Sequence, residues 1–335
     1  MSRVLGVDSG GSGLRVALGT ADAPTGGEPT VRTIGTAVST EPVRTGPSGI
    51  DPDHLLEQLL PAVETLLARA GTDTDTTEAP MAVAIGAAGM ATLGDGLRAE
   101  LPAALESALG VRRLALAADA VTAYAGALGQ RPGAVVAAGT GMIALGTDLT
   151  DWQRADGWGH LLGDCGGGAW IGRAGLESAM RAYDGRRGGS AALLSRMEAV
   201  FGPASRMPGV VYPRTDRPAV LASFAPEVAR CAAHDPVAAE IVNEAARQIA
   251  DAAVAVCPQT EGCEVALTGG LFKMGDPLLV PLRAELAERL PHATPVSAEG
   301  DPLAGALRIA AALATGSLRL PCDGRLLSVQ TERDE

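Results

Sequence analysis

The chain has 335 residues with a formal net charge of −12, and 47% of its residues are hydrophobic but only 3% are aromatic. This length is too great for one small core and allows two domains, while the acidic balance without a basic cluster argues against a nucleic-acid-binding protein. The start has no signal-peptide pattern and no apolar run is long enough for a membrane span, so we expect a cytoplasmic protein.

The first 118 residues alternate apolar runs with helical patterns. We expect strands at residues 3–8, 13–19, 31–37, 81–86 and 112–118, and helices at residues 51–70 and 94–109. A β-rich start that continues as alternating helices and strands is typical of an α/β domain with a mixed sheet. We therefore predict a first α/β domain at residues 1–118.

The pattern restarts at Asp119. The expected helices are 119–128, 166–181, 189–200, 218–233, 236–257 and 277–290, and the expected strands are 133–138, 142–147 and 264–267. Residues 202–217 are rich in proline and predict a loop, and the polar tail from Arg319 is expected to fray. These elements predict a larger second α/β domain at residues 119–301, with a helical insert at about 184–235.

Four glycine-rich segments stand along the chain. They are residues 7–13, 138–141, 157–168 and 267–271, and the first, second and fourth each follow a predicted strand. Glycine lets the backbone come close to a ligand, and its N–H groups can then bind phosphate oxygens. Several such turns over a whole chain predict two lobes that close on one nucleotide, and hence a phosphoryl-transfer enzyme.

The first segment places Asp8 at the end of a strand, followed by Gly10, Gly11, Ser12 and Gly13. A carboxylate here can hold Mg²⁺ through water, and the turn can cradle phosphate. A plain hairpin turn with a capping aspartate is the alternative, and the residues alone leave both open. The segment lacks the lysine of a P-loop, and a strand rather than a dinucleotide-binding helix follows it.

Two further segments suggest groups for the same chemistry. Asp119 follows a strand and can serve as a general base, although local sequence alone favours a helix cap. Thr140, between Gly139 and Gly141, can offer its hydroxyl to a phosphate or simply occupy a tight turn.

The remaining segments suggest ligand contacts. Gly269 and Gly270 can face a nucleoside, or can allow close packing of helix and strand. Asp164 is the only carboxylate between Trp158 and Trp170 and can accept hydrogen bonds from sugar hydroxyls; its alternative is a helix cap.

Together the segments resemble the family of N-acetylglucosamine kinases and benzoyl-CoA-reductase-activator ATPases, within the actin, hexokinase and heat-shock-chaperone superfamily. The most specific piece is GWGHLLGDCGGGAWIG at residues 157–172. LGVDSGGSGLRVAL and VVAAGTGMIALG are similar to the two phosphate motifs, and VALTGGL is similar to the adenosine motif. The resemblance implies two ribonuclease-H-like domains with a nucleotide cleft between them, a C-terminal helix at about 302–314 that returns to the first domain, and a homodimer.

The resemblance also implies the roles of the residues. The expected set comprises Asp119 as the base, Asp8 in the Mg²⁺–phosphate site, Gly10, Gly11, Ser12, Gly13, Gly139, Thr140 and Gly141 at the phosphates, Gly269 and Gly270 at the nucleoside, and Asp164 at the sugar, with Gly89 and His160 completing the substrate-binding candidates. We interpret His160 as structural rather than catalytic, and Cys165 as packed rather than nucleophilic.

The implied reaction transfers the γ-phosphate of MgATP to the 6-hydroxyl of an amino sugar. Three residues depart from the family pattern: Cys165 replaces a glutamate, and Met142 and Ile143 replace serine and asparagine. Apolar side chains give an acetamido group no polar partner, and a free amine suits an acidic site, so we predict glucosamine with N-acetylglucosamine as the alternative.

Other classes of protein fit less well. An iron–sulfur ATPase activator needs closely placed cysteines, yet the five cysteines include no CxxC pair, which also argues against a disulfide framework and a zinc knuckle. A sugar-sensing repressor needs a helix-turn-helix and a basic face, whereas this sequence opens directly on the first phosphate-type turn. A kinase for a different sugar stays open.

Overall fold

A computed structural model describes residues 1–10, 13–23, 27–46, 49–70 and 82–331. The strands are β1 (Ser2–Gly10), β2 (Gly13–Asp22), β3 (Thr30–Ser39), β4 (Thr45–Gly46), β5 (Gly49–Ile50), β6 (Ala82–Ala87), β7 (Arg113–Ala118), β8 (Gly133–Ala138), β9 (Met142–Thr147), β10 (Trp152–Asp156), β11 (Glu264–Thr268), β12 (Thr294–Ser297) and β13 (Leu327–Thr331). The α-helices are α1 (Pro52–Ala70), α2 (Met90–Leu93), α3 (Asp95–Leu109), α4 (Asp119–Leu128), α5 (Gly168–Tyr183), α6 (Ala191–Phe201), α7 (Met207–Val211), α8 (Arg217–Ala222), α9 (Ala225–Cys231), α10 (Pro236–Val256), α11 (Asp276–Arg289) and α12 (Pro302–Thr315). Within these described ranges, no helix combines the length and the apolar character that a membrane crossing requires.

The chain forms two compact α/β units, which confirms the predicted fold class. Unit 1 comprises Met1–Pro132, Thr147–Trp152 and Ser297–Glu335, and unit 2 comprises Gly133–Gly146 and Gln153–Val296. The first boundary between the two units thus falls at Pro132, after α4, whereas the sequence pattern predicted a boundary after residue 118. Helix α4 groups with unit 1 because it packs closely against α12.

The sheet of unit 1 has six strands in the order β13-β7-β6-β1-β2-β3. Strands β3, β2 and β1 are antiparallel neighbours, while β1, β6 and β7 run parallel. Strand β13 pairs antiparallel with β7 and sets Leu327 opposite Ala117. The prediction that the tail frays from Arg319 was therefore wrong, because Leu326 and Leu327 are buried and the following residues complete this edge of the sheet.

Helix α12 packs on β1 and α4 through contacts that only glycine allows. A Cβ atom at Gly305 would lie 1.9 Å from the Thr122 carbonyl oxygen, and one at Gly6 would lie 2.6 Å from the Leu307 nitrogen. A Cβ at Gly126 would lie 2.2 Å from the Asp301 carbonyl oxygen. The backbones of α12, α4 and β1 are therefore in direct contact, which fixes the ends of these elements relative to one another.

We expect Gly305→Ala to lower the free energy of unfolding by about 1–3 kcal/mol, because backbone must move to admit the methyl group. The urea unfolding midpoint measures this. Gly96→Ala in α3 is the matched control, since its Cβ would meet only Pro52 Cγ at 3.8 Å and alanine favours a helix. Equal midpoints for the two variants would contradict the close packing of α12 on α4.

Unit 2 contains a five-stranded sheet in the order β10-β9-β8-β11-β12, with β8 and β11 parallel. Its apolar core includes buried residues of α5, α6, α10 and α11. The short strands β10 and β12 were not predicted, because neither has a sustained apolar pattern.

The predicted insert at about 184–235 consists of the short helices α6 to α9 and one 3₁₀ turn, Ala204–Arg206. The single helix predicted at 218–233 is instead two helices, α8 and α9, separated at Ser223 and Phe224. The loop predicted at 202–217 contains α7, whose Met207 is buried in the core and so outweighs the effect of the prolines.

Candidate functional site

The first site feature in unit 1 is an ion pair between neighbouring strands. Asp8 on β1 stands directly opposite Arg15 on β2. Arg15 donates two hydrogen bonds to Asp8 Oδ2, from Nε at 2.9 Å and from Nη2 at 2.6 Å. Its third contact, from Nη1 to Asp301 Oδ2, measures 2.5 Å. One guanidinium thus fixes the buried Asp8 carboxylate and ties it to Asp301, which caps the start of α12.

Asp8 fits the predicted Mg²⁺ site in part. Both Arg15 hydrogen bonds end on Asp8 Oδ2, so Oδ1 lies outside this ion pair. Mg²⁺ usually keeps several waters and needs only one or two carboxylates from a protein. The donor set therefore fits an ion held mainly through water, at a carboxylate whose charge Arg15 already offsets.

Asp119 lies at the same edge of the sheet as Asp8. It follows β7, whose Ala117 pairs with Gly86 of β6, and Gly86 in turn pairs with Asp8. Burial raises the pKa of Asp119 to about 6, and the negative charge of Asp8 adds to the rise. Asp119 Oδ1 accepts a hydrogen bond from the Ala120 N–H at 2.8 Å. This hydrogen bond stabilises the ionised carboxylate and so limits the rise of its pKa.

Asp119 is the first residue of α4, and the N-cap position belongs to Ala118. The side chain nevertheless accepts a hydrogen bond from the first turn of the helix, and this contact engages Oδ1. A carboxylate with a pKa near neutrality is suited to take up a proton at physiological pH.

The other predicted residues of unit 1 have different environments. Gly10 ends β1, and a Cβ there would meet nothing within 4 Å. Gly13 has φ +132°, and a Cβ there would lie 2.1 Å from the Ser39 carbonyl oxygen. Gly13 is therefore explained by packing against β3. Gly11 and Ser12 lie outside the described residues.

The predicted substrate-site residue Gly89 precedes α2 with φ +74°. No side chain caps this helix, and a Cβ at Gly89 would meet nothing within 4 Å. The left-handed backbone alone accounts for glycine at this position.

In unit 2 the turn Gly139–Thr140–Gly141 packs on the start of α5. The Gly168 N–H donates to the Gly139 carbonyl at 2.9 Å, and the Ala169 N–H donates to the Thr140 carbonyl at 2.8 Å. A Cβ at Gly141 would lie 2.4 Å from Asp164 Oδ2. The structure therefore brings the second glycine turn and the predicted sugar ligand together.

Asp164 is held in an uncommon conformation by Asp156. Asp164 has φ +54°, and its N–H donates to Asp156 Oδ1 at 2.5 Å. The next N–H, of Cys165, donates to Asp156 Oδ2 at 2.8 Å. Asp164 Oδ1 itself accepts from the Gly159 N–H at 3.0 Å, and its side chain makes no cap on α5. Asp156 thus positions Asp164, and the helix-cap alternative for Asp164 is wrong.

The electrostatics of this turn are dominated by carboxylates. Burial raises the pKa of Asp164, and the charge of Asp156 raises it further, while the nearby His160 opposes the rise. Burial and the same two carboxylates raise the pKa of Cys165, which agrees with the expectation that this thiol is not a nucleophile.

The loop before Asp164 is exposed and apolar. Trp158 is 60% exposed, and Leu161 and Leu162 are 78% and 85% exposed. The Arg154 guanidinium lies 4.0 Å from the centre of the Trp158 ring, a cation–π contact that covers one ring face.

The fourth glycine segment lies at the end of β11. A Cβ at Gly269, which has φ +108°, would lie 2.2 Å from the Ala138 carbonyl oxygen, so this glycine permits β11 and the end of β8 to touch. Gly270 opens the 3₁₀ helix Gly270–Met274, and a Cβ there would meet nothing within 4 Å. Close packing thus explains Gly269, while Gly270 is available to a ligand.

Three residues of these sites were missed by sequence reasoning. Arg15 and Asp301 act on Asp8, and Asp156 acts on Asp164. Only the pairing of Asp8 with Arg15 had a signal in the sequence, because two strands that follow one another closely along the chain pair in a register set by the short segment between them.

Comparisons with known proteins extend these observations. The profile of the BadF/BadG/BcrA/BcrD ATPase family matches residues 5–310. A protein of Clostridium acetobutylicum named N-acetylmuramic acid/N-acetylglucosamine kinase is 29% identical over 187 residues. That alignment covers 56% of this chain and 56% of the relative, so it spans little more than half of the relative's length.

Solved structures agree in fold. A protein of Chromobacterium violaceum, provisionally assigned as an N-acetylglucosamine kinase, is 29% identical, with a TM-score of 0.66 over 92% of this chain and 98% of that one. A ROK-family glucokinase of Streptomyces griseus, solved with glucose and AMPPNP, is 20% identical, with a TM-score of 0.51 over 94% of this chain and 100% of that one. These likenesses confirm the predicted two-domain fold of the actin and hexokinase type.

Proposed function

The chain belongs to the BadF/BadG/BcrA/BcrD ATPase family, and on that premise we propose that it is an ATP-dependent kinase that phosphorylates the 6-hydroxyl of an amino sugar. The observation that carries the proposal is Asp119, whose pKa is raised to about 6 beside Asp8 at the edge of the sheet in unit 1. An attacking sugar hydroxyl must lose its proton during the transfer, and a carboxylate with a pKa near neutrality can accept it.

Asp119 acts as the general base in this proposal. Its Oδ1 is held by the Ala120 N–H, so Oδ2 accepts the proton of the 6-hydroxyl. The sugar oxygen forms a bond to the γ-phosphorus, the bond from that phosphorus to the β–γ bridging oxygen breaks, and ADP leaves. Orientation of the hydroxyl supplies a large part of the rate enhancement in such transfers.

The glycine turns would bind the nucleotide through backbone N–H groups. Gly10 and the turn Gly139–Thr140–Gly141 are the proposed phosphate contacts, and Gly270 is a proposed nucleoside contact. Gly269 is retained only as a packing residue at that turn. Mg²⁺, which Asp8 Oδ1 would hold through water, would offset the negative charge of the phosphates.

Asp164 is the proposed ligand of the sugar hydroxyls, and Asp156 keeps it in position. The paired carboxylates favour a cationic ligand, which supports glucosamine as the acceptor. Met142 is buried in the core of unit 2 and therefore does not discriminate between the two acceptors. The Ile143 side chain packs against Gly157, where a Cβ atom would lie 2.6 Å from Ile143 Cδ1.

N-acetylglucosamine is the second candidate acceptor. The names of the Clostridium acetobutylicum and Chromobacterium violaceum relatives favour it. The homodimer implied by the family resemblance stays a prediction. The cytoplasmic location expected from the sequence and the domain division at residue 118 stay predictions as well.

The test measures ADP release from MgATP with glucosamine, N-acetylglucosamine, glucose or no sugar. We expect the highest kcat/KM with glucosamine, and phosphate on the sugar by mass spectrometry. A preference for N-acetylglucosamine would replace the proposed acceptor and keep the kinase. Equal ADP release without sugar would overturn the kinase proposal in favour of an ATPase.

Removal of the Arg15 guanidinium should weaken nucleotide binding. Arg15→Gln leaves the buried Asp8 carboxylate without its cation, and hydrogen bonds to charged groups contribute about 1.5–3 kcal/mol each. We expect the KM for MgATP to rise about tenfold or more. Arg15→Lys should not restore it, because lysine cannot donate the two-pronged contact.

Arg181→Gln is the control for this measurement. Arg181 forms an exposed ion pair with Glu177 at 3.1 Å, and such pairs contribute little. An Arg15→Gln enzyme with the same KM for MgATP as the Arg181→Gln enzyme would show that Asp8 does not need the ion pair.

A further inference from the structure

A cluster of potential metal ligands lies in unit 2, at the opposite end of β11 from Gly269 and Gly270. Cys257, Cys263 and His292 each offer one ligand atom, and these atoms lie within 4.8 Å of one another. The two Sγ atoms are 3.4 Å apart. Both cysteines are buried, at 6% and 4% exposure, whereas the imidazole is partly exposed.

The backbone holds the three ligand positions together. Cys257 follows α10, and its N–H donates to the Ala253 carbonyl at 3.0 Å. The Thr294 N–H donates to the Cys263 carbonyl at 2.8 Å, and the Gly262 N–H donates to the His292 carbonyl at 3.0 Å. The segment that carries the two thiols is therefore hydrogen-bonded to the turn that carries the imidazole.

The imidazole lies against a backbone carbonyl. His292 Nε2 lies 3.1 Å from the Pro258 carbonyl oxygen. If Nε2 carries the proton of the neutral ring, it donates to this carbonyl and Nδ1 keeps the free lone pair. A histidine that ligates a metal commonly donates its other ring N–H to a backbone carbonyl in this way.

Two thiols and an imidazole form a donor set that selects zinc over magnesium or calcium. A disulfide is the competing use of two adjacent thiols. A disulfide would engage the two thiols alone, whereas a metal ion would engage all three groups.

We propose that Cys257, Cys263 and His292 bind one Zn²⁺ ion, with water in the fourth position on the partly exposed side. The cysteines are six residues apart and the histidine follows at a distance in sequence, so the site has no local motif. The expectation that the cysteines hold no zinc was drawn from the missing CxxC spacing alone. The ion would join the end of α10, the start of β11 and the turn before β12.

The test measures metal in the whole purified chain and needs no assay of activity. Protein produced with zinc in the medium is dialysed, and its zinc is determined by mass spectrometry. We expect about one zinc per chain. Cobalt chloride added to metal-free protein should give a thiolate-to-cobalt charge-transfer band and the visible absorption of a tetrahedral ion.

Three variants and a matched control separate this site from adventitious binding. Cys257→Ala, Cys263→Ala and His292→Gln should each lower zinc affinity by about 100-fold or more. Cys231→Ala removes a thiol that is equally buried in the same unit, and should keep the zinc. His292 is partly exposed, so its variant should fold even where a cysteine variant does not.

A wild-type chain that retains no zinc and gives no cobalt spectrum would overturn the proposal. Equal zinc in the His292→Gln and Cys231→Ala proteins would also overturn it. Loss of two titratable thiols on purification without bound metal would assign the cysteines to a disulfide instead. None of these results depends on which sugar the enzyme phosphorylates.

Discussion

Asp119→Asn should lower kcat for sugar phosphorylation by about 10²–10⁴-fold, the range that removal of a general base commonly gives. Asparagine has nearly the same shape and keeps an oxygen to accept the Ala120 N–H, so α4 should begin as before. It cannot take up a proton from the sugar hydroxyl. The loss therefore measures the proton transfer and not the packing.

The pH profile gives a second readout for Asp119. Because its pKa is raised to about 6, the base is protonated and inactive below that value and active above it. The wild-type kcat/KM should rise through pH 6 to a plateau, and the residual activity of Asp119→Asn should lack this limb. Since a raised carboxylate pKa means that the charged form is disfavoured in the folded state, the variant should unfold at no lower temperature than wild type at pH 7.

Asp95→Asn is the matched control, because Asp95 also opens a helix of unit 1 but is fully exposed. It should leave kcat and the pH profile unchanged. An Asp119→Asn enzyme within a factor of about three of wild type would remove Asp119 from the mechanism, given the size expected for a base.

Asp164→Asn should raise the KM for the sugar by about 10–100-fold, because each hydrogen bond to a charged group contributes about 1.5–3 kcal/mol. Asparagine tolerates the left-handed backbone at φ +54° and can still accept the Gly159 N–H. The KM for MgATP should stay within about threefold of wild type, since the change removes a sugar ligand only.

Two further variants qualify this result. Asp148→Asn changes a fully exposed turn aspartate that also accepts a backbone N–H, and it should not alter the KM for the sugar. Asp156→Asn should impair sugar binding through Asp164, because one amide oxygen cannot accept from both the Asp164 and Cys165 N–H groups. If Asp164→Asn behaves like Asp148→Asn, the sugar lies elsewhere.

The sequence was most informative where the same residues mark both a strand end and a candidate functional group. Asp8 lies near the end of β1 and Asp119 follows β7, and parallel strands bring such positions to one edge of a sheet. The glycine turn at Gly141 was predicted for phosphate, whereas the structure shows that Asp164 requires glycine there. Both explanations give the same residue, which is why sequence alone could not separate them.

Contacts between distant segments were not predictable in the same way. Asp301 meets Arg15 across 286 residues, and no local pattern marks either as the partner of the other. Asp156 lies in β10, a short strand of mixed polarity, and its role depends on two backbone N–H groups of a later turn. The prediction that the cysteines form no zinc knuckle rested on their spacing in the sequence. That spacing does not show that Cys257, Cys263 and His292 come together in space.

The place of α12 and β13 in unit 1 has a consequence for the order in which the chain can fold during its synthesis. Unit 1 begins with β1, yet α12 covers β1 and β13 completes the sheet edge beside β7. Residues Ser297–Glu335 leave the ribosome only after all of unit 2. Unit 2 can therefore fold first, while the apolar faces of the early strands of unit 1 are still exposed and can be bound by chaperones. A chain whose synthesis stops within α12 would contain all of unit 2 but would lack the elements that complete the core and the sheet of unit 1.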